Sequence, residues 1–190
     1  MGALRLFLLS GLIFHKVLWE VLKKRAPVTR PQHDASVNLI KIVVKAVKAM
    51  ALAFLIFQTL FFDILPISEK PAGLRVAGTL IFVAGLFMAV LGRLHLGKNW
   101  VDLEDSHVLP DQSLTTSGIY AYIRHPIYAG GLLLLIGLQL ALNSWLVLAV
   151  VIPLVVVIRQ VVTEESLLSS VIPGYESYCK RTKRFIPFVV

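Results

Sequence analysis

Residues 128–162 read YAGGLLLLIGLQLALNSWLVLAVVIPLVVVIRQVV, and this stretch decides the fold. It holds two apolar runs, Tyr128 to Leu142 and Trp145 to Val162, parted by Asn143-Ser144 alone. A break this brief joins two antiparallel helices in a tight hairpin. Each run approaches the ~20 apolar residues that a helix needs to cross a bilayer. Pro153 inside the second run predicts a kink, tolerated in a membrane helix where neighbours or water satisfy the freed carbonyl.

Upstream the same pattern recurs. The block Leu74 to Leu91 carries Gly78, Gly85 and, just beyond it, Gly92, one every heptad and therefore roughly on one face. Small residues so placed let helices approach closely in lipid, which predicts packing rather than a site. Val37 to Phe62 forms another block, with Ser36 as its expected N-cap. Lys41, Lys45 and Lys48 recur on one face near its start, as in a helix that begins among headgroups with its lysines snorkelling. The first block, Gly2 to Leu22, holds Arg5, His15, Lys16 and Glu20 and lacks a small-residue cleavage site, so it reads as a span rather than a removed signal peptide. Lys16 and Glu20 stand at i,i+4, the spacing of a helical ion pair.

Composition agrees. Of 190 residues 57% are hydrophobic, above the usual share for a soluble domain, and the excess lies in these blocks. The net charge of +8 sits beside the spans, in Lys23, Lys24, Arg25 and Arg30 and in Lys180, Arg181, Lys183 and Arg184. That placement is an orientation and lipid-anchoring signal, and it leaves no soluble basic module for nucleic acid. The lone Cys179 excludes an internal disulfide. The sequence therefore predicts an all-α integral membrane protein of about five transmembrane helices, the last two a tight hairpin. With an odd span count and the C-terminus inside, every Lys and Arg except Arg5, Lys16, Lys70 and Arg75 falls on the cytoplasmic side, as the positive-inside rule prefers.

The polar residues gather late in the chain. Residues 1–92 hold three spans, and residues 93–190 hold a long polar segment, the hairpin, and a basic helix with a tail. A loop as long as Arg93 to Pro126 is usually functional or disordered, and its interleaved Trp100, Leu103, Ile119, Tyr120 and Tyr122 favour order. Pro126 suits the first turn of a helix, so Arg124 and His125 precede a positive helix end, an arrangement fit for a carboxylate or phosphate. Lipid headgroups would serve such an Arg-His pair equally well. Glu164 and Glu165 fall near a helix C-terminus, which prefers cations, and so call for Arg159 or a cationic ligand as counter-charge unless the helix simply continues into solvent.

In order and spacing, His107-Val-Leu109, then G-I-Y-A-Y-I-R-H-P-I-Y at 118–128, the hairpin, Arg159 with Glu164-Glu165, Tyr175 and Tyr178, and R-F-I-P at 184–187 resemble the isoprenylcysteine carboxyl methyltransferase family. Its wider clan includes phospholipid N-methyltransferases. The resemblance covers roughly residues 95–190. It implies a membrane methyltransferase that uses S-adenosylmethionine, releases S-adenosylhomocysteine and needs no metal. A G-x-G-x-x-G turn after a strand, the mark of a dinucleotide-type fold, is absent from the sequence.

Carried over by position, His107, Leu109, Gly118, Tyr120, Arg124, His125, Pro126, Glu164 and Glu165 would form the cofactor pocket, built from the long loop and the C-terminal helix on the cytoplasmic face. Arg159 and Glu164 would stand at the reacting end, with Tyr128 and Arg159 toward the acceptor. Family members place their glutamates four and five residues after the arginine; here they follow Arg159 at five and six, with Thr163 at four. The acceptor implied is a lipophilic or lipidated molecule, most of all an isoprenylcysteine-like carboxylate, in the plasma membrane of a prokaryote or the endoplasmic reticulum of a eukaryote. A phospholipid, amine or thiol acceptor and an inactive membrane scaffold are the alternatives; too few polar residues line the spans for a transporter.

Overall fold

The computed structural model describes residues 2–25, 39–100 and 113–187. His107, Leu109 and Ser36 lie outside them. The described residues form six α-helices: α1 (Gly2–Arg25), α2 (Leu39–Phe61), α3 (Ala72–Leu96), α4 (Pro126–Ala141), α5 (Val151–Val171) and α6 (Tyr175–Arg181). α1, α2, α3 and the segment Trp145–Val171 are long and apolar enough to cross a membrane, and α4 is a shorter apolar helix. Large apolar side chains such as Phe7, Phe14, Phe54, Phe87, Ile152 and Val156 face outward, as they do where the surrounding solvent is hydrocarbon.

The tightest packing joins α3 to α4. A Cβ on Gly78 or Gly85 would run into α4 backbone, and one on Gly130 or Gly137 would run into α3 backbone. The heptad of small residues on α3 thus meets a matching pair on α4, and the two backbones touch where side chains would hold them apart. The heptad ends at Gly92, which lies against Pro126 and Ile127. Leu8 and Leu12 of α1 complete a core with Phe82, Leu134 and Leu138. α2 is tied in by polar groups: the Gln58 and Gln139 amides exchange hydrogen bonds of 2.8 and 3.0 Å in the buried interior.

One end of the bundle is stitched at the hairpin turn. Asn143, at φ 57°, receives the Ser68 N–H on Oδ1 at 3.0 Å and donates to Ser68 O at 2.8 Å. Ser144 Oγ donates to Ile64 O at 2.7 Å. Arg5 donates to Thr59 O and pairs with Asp63 at 2.8 Å nearby. The turn is as tight as expected, yet the close partner of α4 is α3 rather than α5. Pro153 does not break a helix. The chain leaves the turn as a 3-10 helix, Trp145–Val150, and Pro153 falls in the first turn of α5, where the lost N–H costs least.

Beyond the expected span, α5 runs on to Val171 and so carries Glu164 and Glu165 within it. Gly174, at φ 83°, turns the chain into the short α6. The tail then comes back as an extended segment. Arg124 N–H donates to Lys183 O at 2.8 Å, His125 N–H to Arg184 O at 3.0 Å, and Lys183 N–H to Tyr122 O at 3.1 Å. The tail is therefore paired to the residues just before α4, opposite the stitched end.

Candidate functional site

At this tail end the buried Glu165 carboxylate gathers three basic side chains. Its Oε1 accepts from Arg124 Nε at 2.9 Å and lies 3.1 Å from His125 Nε2; its Oε2 accepts from Arg184 Nε and Nη2 at 3.0 and 2.8 Å. Arg124 Nη1 donates further to Cys179 O at 3.1 Å and to Thr182 O. A carboxylate buried in this way is stabilised only because cations and donors surround both oxygens. The cluster clamps α5, the residues before α4, α6 and the tail together.

Arg159 does not supply this counter-charge. Positions five and six residues on lie about 140° and 120° away around a helix, so neither glutamate shares its face. Arg159 is exposed and stands outside the cavity described below. Thr163 does share its face and donates from Oγ1 to Arg159 O at 3.1 Å.

Glu164 takes a different path from its neighbour. It faces a cavity of about 850 Å³, and its Oε2 accepts from the Tyr128 hydroxyl at 3.2 Å. That volume is within the range of small-molecule and cofactor sites, about 300–1,000 Å³. Tyr120, Arg124, His125, Tyr128 and Glu164 all line it, while Glu165 braces the wall from behind. Leu52, Ala53 and Ile56 of α2, Ile127 of α4 and Val157 of α5 supply apolar walls.

A polar shelf closes another side. Asn99 Nδ2 donates to Thr115 Oγ1 at 2.9 Å, and its Oδ1 accepts from Ser113 N–H at 3.2 Å. Arg93, buried just below, lies 4.4 Å from the Trp100 ring centroid and donates to Gly97 O at 3.0 Å. Burial, and behind it the Glu164 charge, raises the Tyr120 phenol well above its ordinary value. Burial also pushes the Tyr178 phenol up to about 12, against the opposing Arg124 charge. Both stay neutral near pH 7, and the Tyr178 hydroxyl donates to Tyr120 O at 2.8 Å.

The remaining predicted residues are placed as follows. Gly118, at φ 61°, opens a 3-10 helix with the His95 ring packed where a Cβ would stand, so both space and backbone require glycine. Pro126 is buried at the first turn of α4. Arg184 and Asn99 were not anticipated. Arg184 could be suspected from R-F-I-P, which ends a basic run near an unmatched acidic pair; Asn99 carried no such signal.

Comparison with known proteins places the arrangement. The chain is 36% identical over 108 residues to the cobalt-zinc-cadmium resistance protein CzcN of Cupriavidus metallidurans, a match covering 54% of this chain and 46% of that protein. It is 30% identical over 109 residues to the protein-S-isoprenylcysteine O-methyltransferase of Schizosaccharomyces pombe, covering 55% and 46%. The chain thus spans about half the length of the curated relatives it matches. Among solved structures, a eukaryotic intramembrane Ras methyltransferase, isoprenylcysteine carboxyl methyltransferase, superposes with a TM-score of 0.62 at 24% identity, covering 93% of this chain and 63% of that one, which shows a shared fold. The family model for phospholipid methyltransferases matches residues 74–172, just over half of the chain, and the chain accordingly belongs to the phospholipid methyltransferase family.

Proposed function

We propose that this protein is an integral-membrane methyltransferase that moves a methyl group from S-adenosylmethionine to a lipophilic acceptor, most of all an isoprenylcysteine-like carboxylate. The observation that carries the reading is Glu164. Its carboxylate faces the cavity with a neutral phenol as its hydrogen-bond partner, whereas the adjacent Glu165 is fully matched by cations. A carboxylate left in that state inside a partly apolar cavity suits a cationic ligand, and a sulfonium with its ammonium group is one.

The residues divide the work. Glu164 and Tyr128 would hold the positive end of the cofactor, and Arg124 and His125, themselves held by Glu165, would meet its carboxylate. Tyr120 and the shelf of Asn99 and Thr115, which line the cavity, would take the remainder, with Gly118, His107 and Leu109 assigned there by resemblance. When bound, S-adenosylmethionine supplies an already activated methyl group. An acceptor carboxylate is ionised at neutral pH, so its attack needs no general base. What the chain must contribute is alignment and the exclusion of water, and the walls of Leu52, Ile56 and Val157 serve the second. Arg159, exposed on α5, is left a role only toward an acceptor that reaches the outer face of that helix.

Family membership favours one further reading, a phospholipid amine as acceptor. Glu164 is then the group within the cavity that takes the ammonium proton before transfer. The excess of basic residues on this side supports a cytoplasmic site.

The test is binding of labelled S-adenosylmethionine to purified protein in nanodiscs, followed by incubation of membranes with the labelled donor. Saturable binding that falls at least about tenfold in Glu164→Gln supports the reading, the loss of one buried charge pairing being worth that much. Absence of saturable binding in the wild type, or an unchanged affinity in Glu164→Gln, would overturn it. The molecule that gains the label distinguishes a carboxylate from an amine acceptor.

A further inference from the structure

One wall of the cavity is built unlike the others. Tyr175 and Tyr178 of α6 line it, beside Arg124, His125 and Glu164. α6 has seven residues and lies outside the core formed by Leu8, Phe82 and Leu138. Its apolar side chains belong to a separate cluster of Ile172, Tyr175 and Tyr178, with Leu114, Leu168 and Cys179 packed against it. The chain enters α6 through Ile172, in extended backbone, and Gly174, at φ 83° with open space where a Cβ would stand. A short helix on a cluster of its own, joined through a glycine turn, can leave its place while the α3–α4 contact stays intact.

What holds α6 down is polar. The Tyr178 hydroxyl donates to Tyr120 O, Arg124 Nη1 donates to Cys179 O and Thr182 O at the end of the helix, and Arg184 pairs with Glu165. The Phe185 ring follows, 6.1 Å from the ring of His125. Arg124 is common to the wall and to the cavity. Its Nε is held by Glu165 and its Nη1 by α6, whereas Nη2 makes no hydrogen bond among the described residues, and the side chain lines the cavity. An anionic group that meets Arg124 from inside the cavity therefore fixes the same guanidinium that caps α6.

We propose that α6 and the tail as far as Phe185 form a hinged lid over the polar end of the cavity, closed by a ligand's anionic group acting on Arg124 and released when that ligand leaves. Arg184 is a positioning residue in this device, since it acts through Glu165. The lid gives a water-soluble ligand a route that avoids the apolar walls of Leu52, Ile56 and Val157. That the ligand is the methyl donor rests on the methyltransferase reading; the hinge does not.

Cys179 supplies the reporter. It is the one cysteine of the chain and is half-buried against the α6 cluster, so its rate of reaction with a permanently charged, water-soluble methanethiosulfonate follows the open lid. The experiment uses the full chain in nanodiscs. Arg184→Gln should speed the reaction about fivefold, the worth of a screened ion pair. Gly137→Ala, whose methyl meets α3 backbone far from the lid, should leave the rate unchanged, because α6 opens without the bundle. S-adenosylhomocysteine at about ten times its Kd should slow the wild-type reaction about tenfold, as expected of a ligand held by the closed form.

Equal rates in the wild type and Arg184→Gln would overturn the lid, and so would an equal acceleration in Gly137→Ala, which would mean that the thiol reports global unfolding. Binding of labelled S-adenosylmethionine is measured on the same nanodiscs. Binding that leaves Cys179 unprotected would overturn the proposal and spare the methyltransferase reading. Absence of binding, with the fivefold response to Arg184→Gln intact, would sink that reading and support the hinge.

Discussion

Arg184 Nη2 lies 2.8 Å from Glu165 Oε2, so the tail of the chain is pinned to α5 by the carboxylate that also holds Arg124 and His125. The two arginines are not equivalent. Arg124 is 10% exposed and Arg184 46% exposed.

Glu165→Gln should therefore cost far more than Arg184→Gln. The first leaves a buried guanidinium without its counter-charge, a loss of roughly 3 kcal/mol. The second removes a pairing that water already screens, about 1 kcal/mol. Thermal unfolding of both variants in the same detergent checks the order; equal losses would mean that Arg184 is the main support of Glu165.

Gly137→Ala should destabilise the bundle by about 1–3 kcal/mol, because the new methyl meets the backbone of Phe82 and Gly78, which cannot swing aside as a side chain could. Gly131→Ala, on the same helix with open space around it, should stabilise by about 0.5–1 kcal/mol through lost unfolded-state freedom. Opposite signs in unfolding temperature for these neighbouring substitutions are the expected result.

Gln139→Leu should cost about 1–3 kcal/mol, since it strands the Gln58 amide in the buried interior. The double variant Gln58→Leu/Gln139→Leu removes both polar partners and should recover most of that loss. A double-mutant cycle measures the coupling, and additivity would show that water reaches the pair.

Tyr178 bears on alkaline stability. Its folded-state value is raised to about 12, so the neutral phenol is the form that folding favours. The contribution is fully present below the unfolded-state value near 10 and is lost as pH rises through about 12. Stability should hold from pH 7 to 10 and decline above it, with Tyr120 and Tyr175, both also raised by burial, acting in the same direction. Tyr178→Phe should lose about 1 kcal/mol at pH 8 with its bond to Tyr120 O, and show a shallower alkaline decline.

The pattern of apolar runs already carried much of the fold. Bilayer thickness sets helix length, and a hydrocarbon solvent requires each segment to satisfy its own backbone, so spans are legible one at a time. Gly78, Gly85 and Gly92 likewise announced close packing, because their spacing is a property of one helix. Their partners Gly130 and Gly137 lie on another helix, and no local pattern connects them. Tyr120, Arg124, His125 and Glu164 were readable as a group through motif order, and the structure lines one cavity with them.

The sequence by itself thus determined the helices, their lipid-facing character and the motif that marks the family, all consequences of local spacing and composition. Tertiary structure alone decided which of two adjacent glutamates is matched by cations and which faces the cavity. That choice turns on about 100° of helical rotation relative to Arg124 and on a tail that returns to supply Arg184 from nineteen residues away. It decided too that lysines of α1 and α2 share a cavity with Tyr128, since charge placement along a chain carries no record of which helix faces converge.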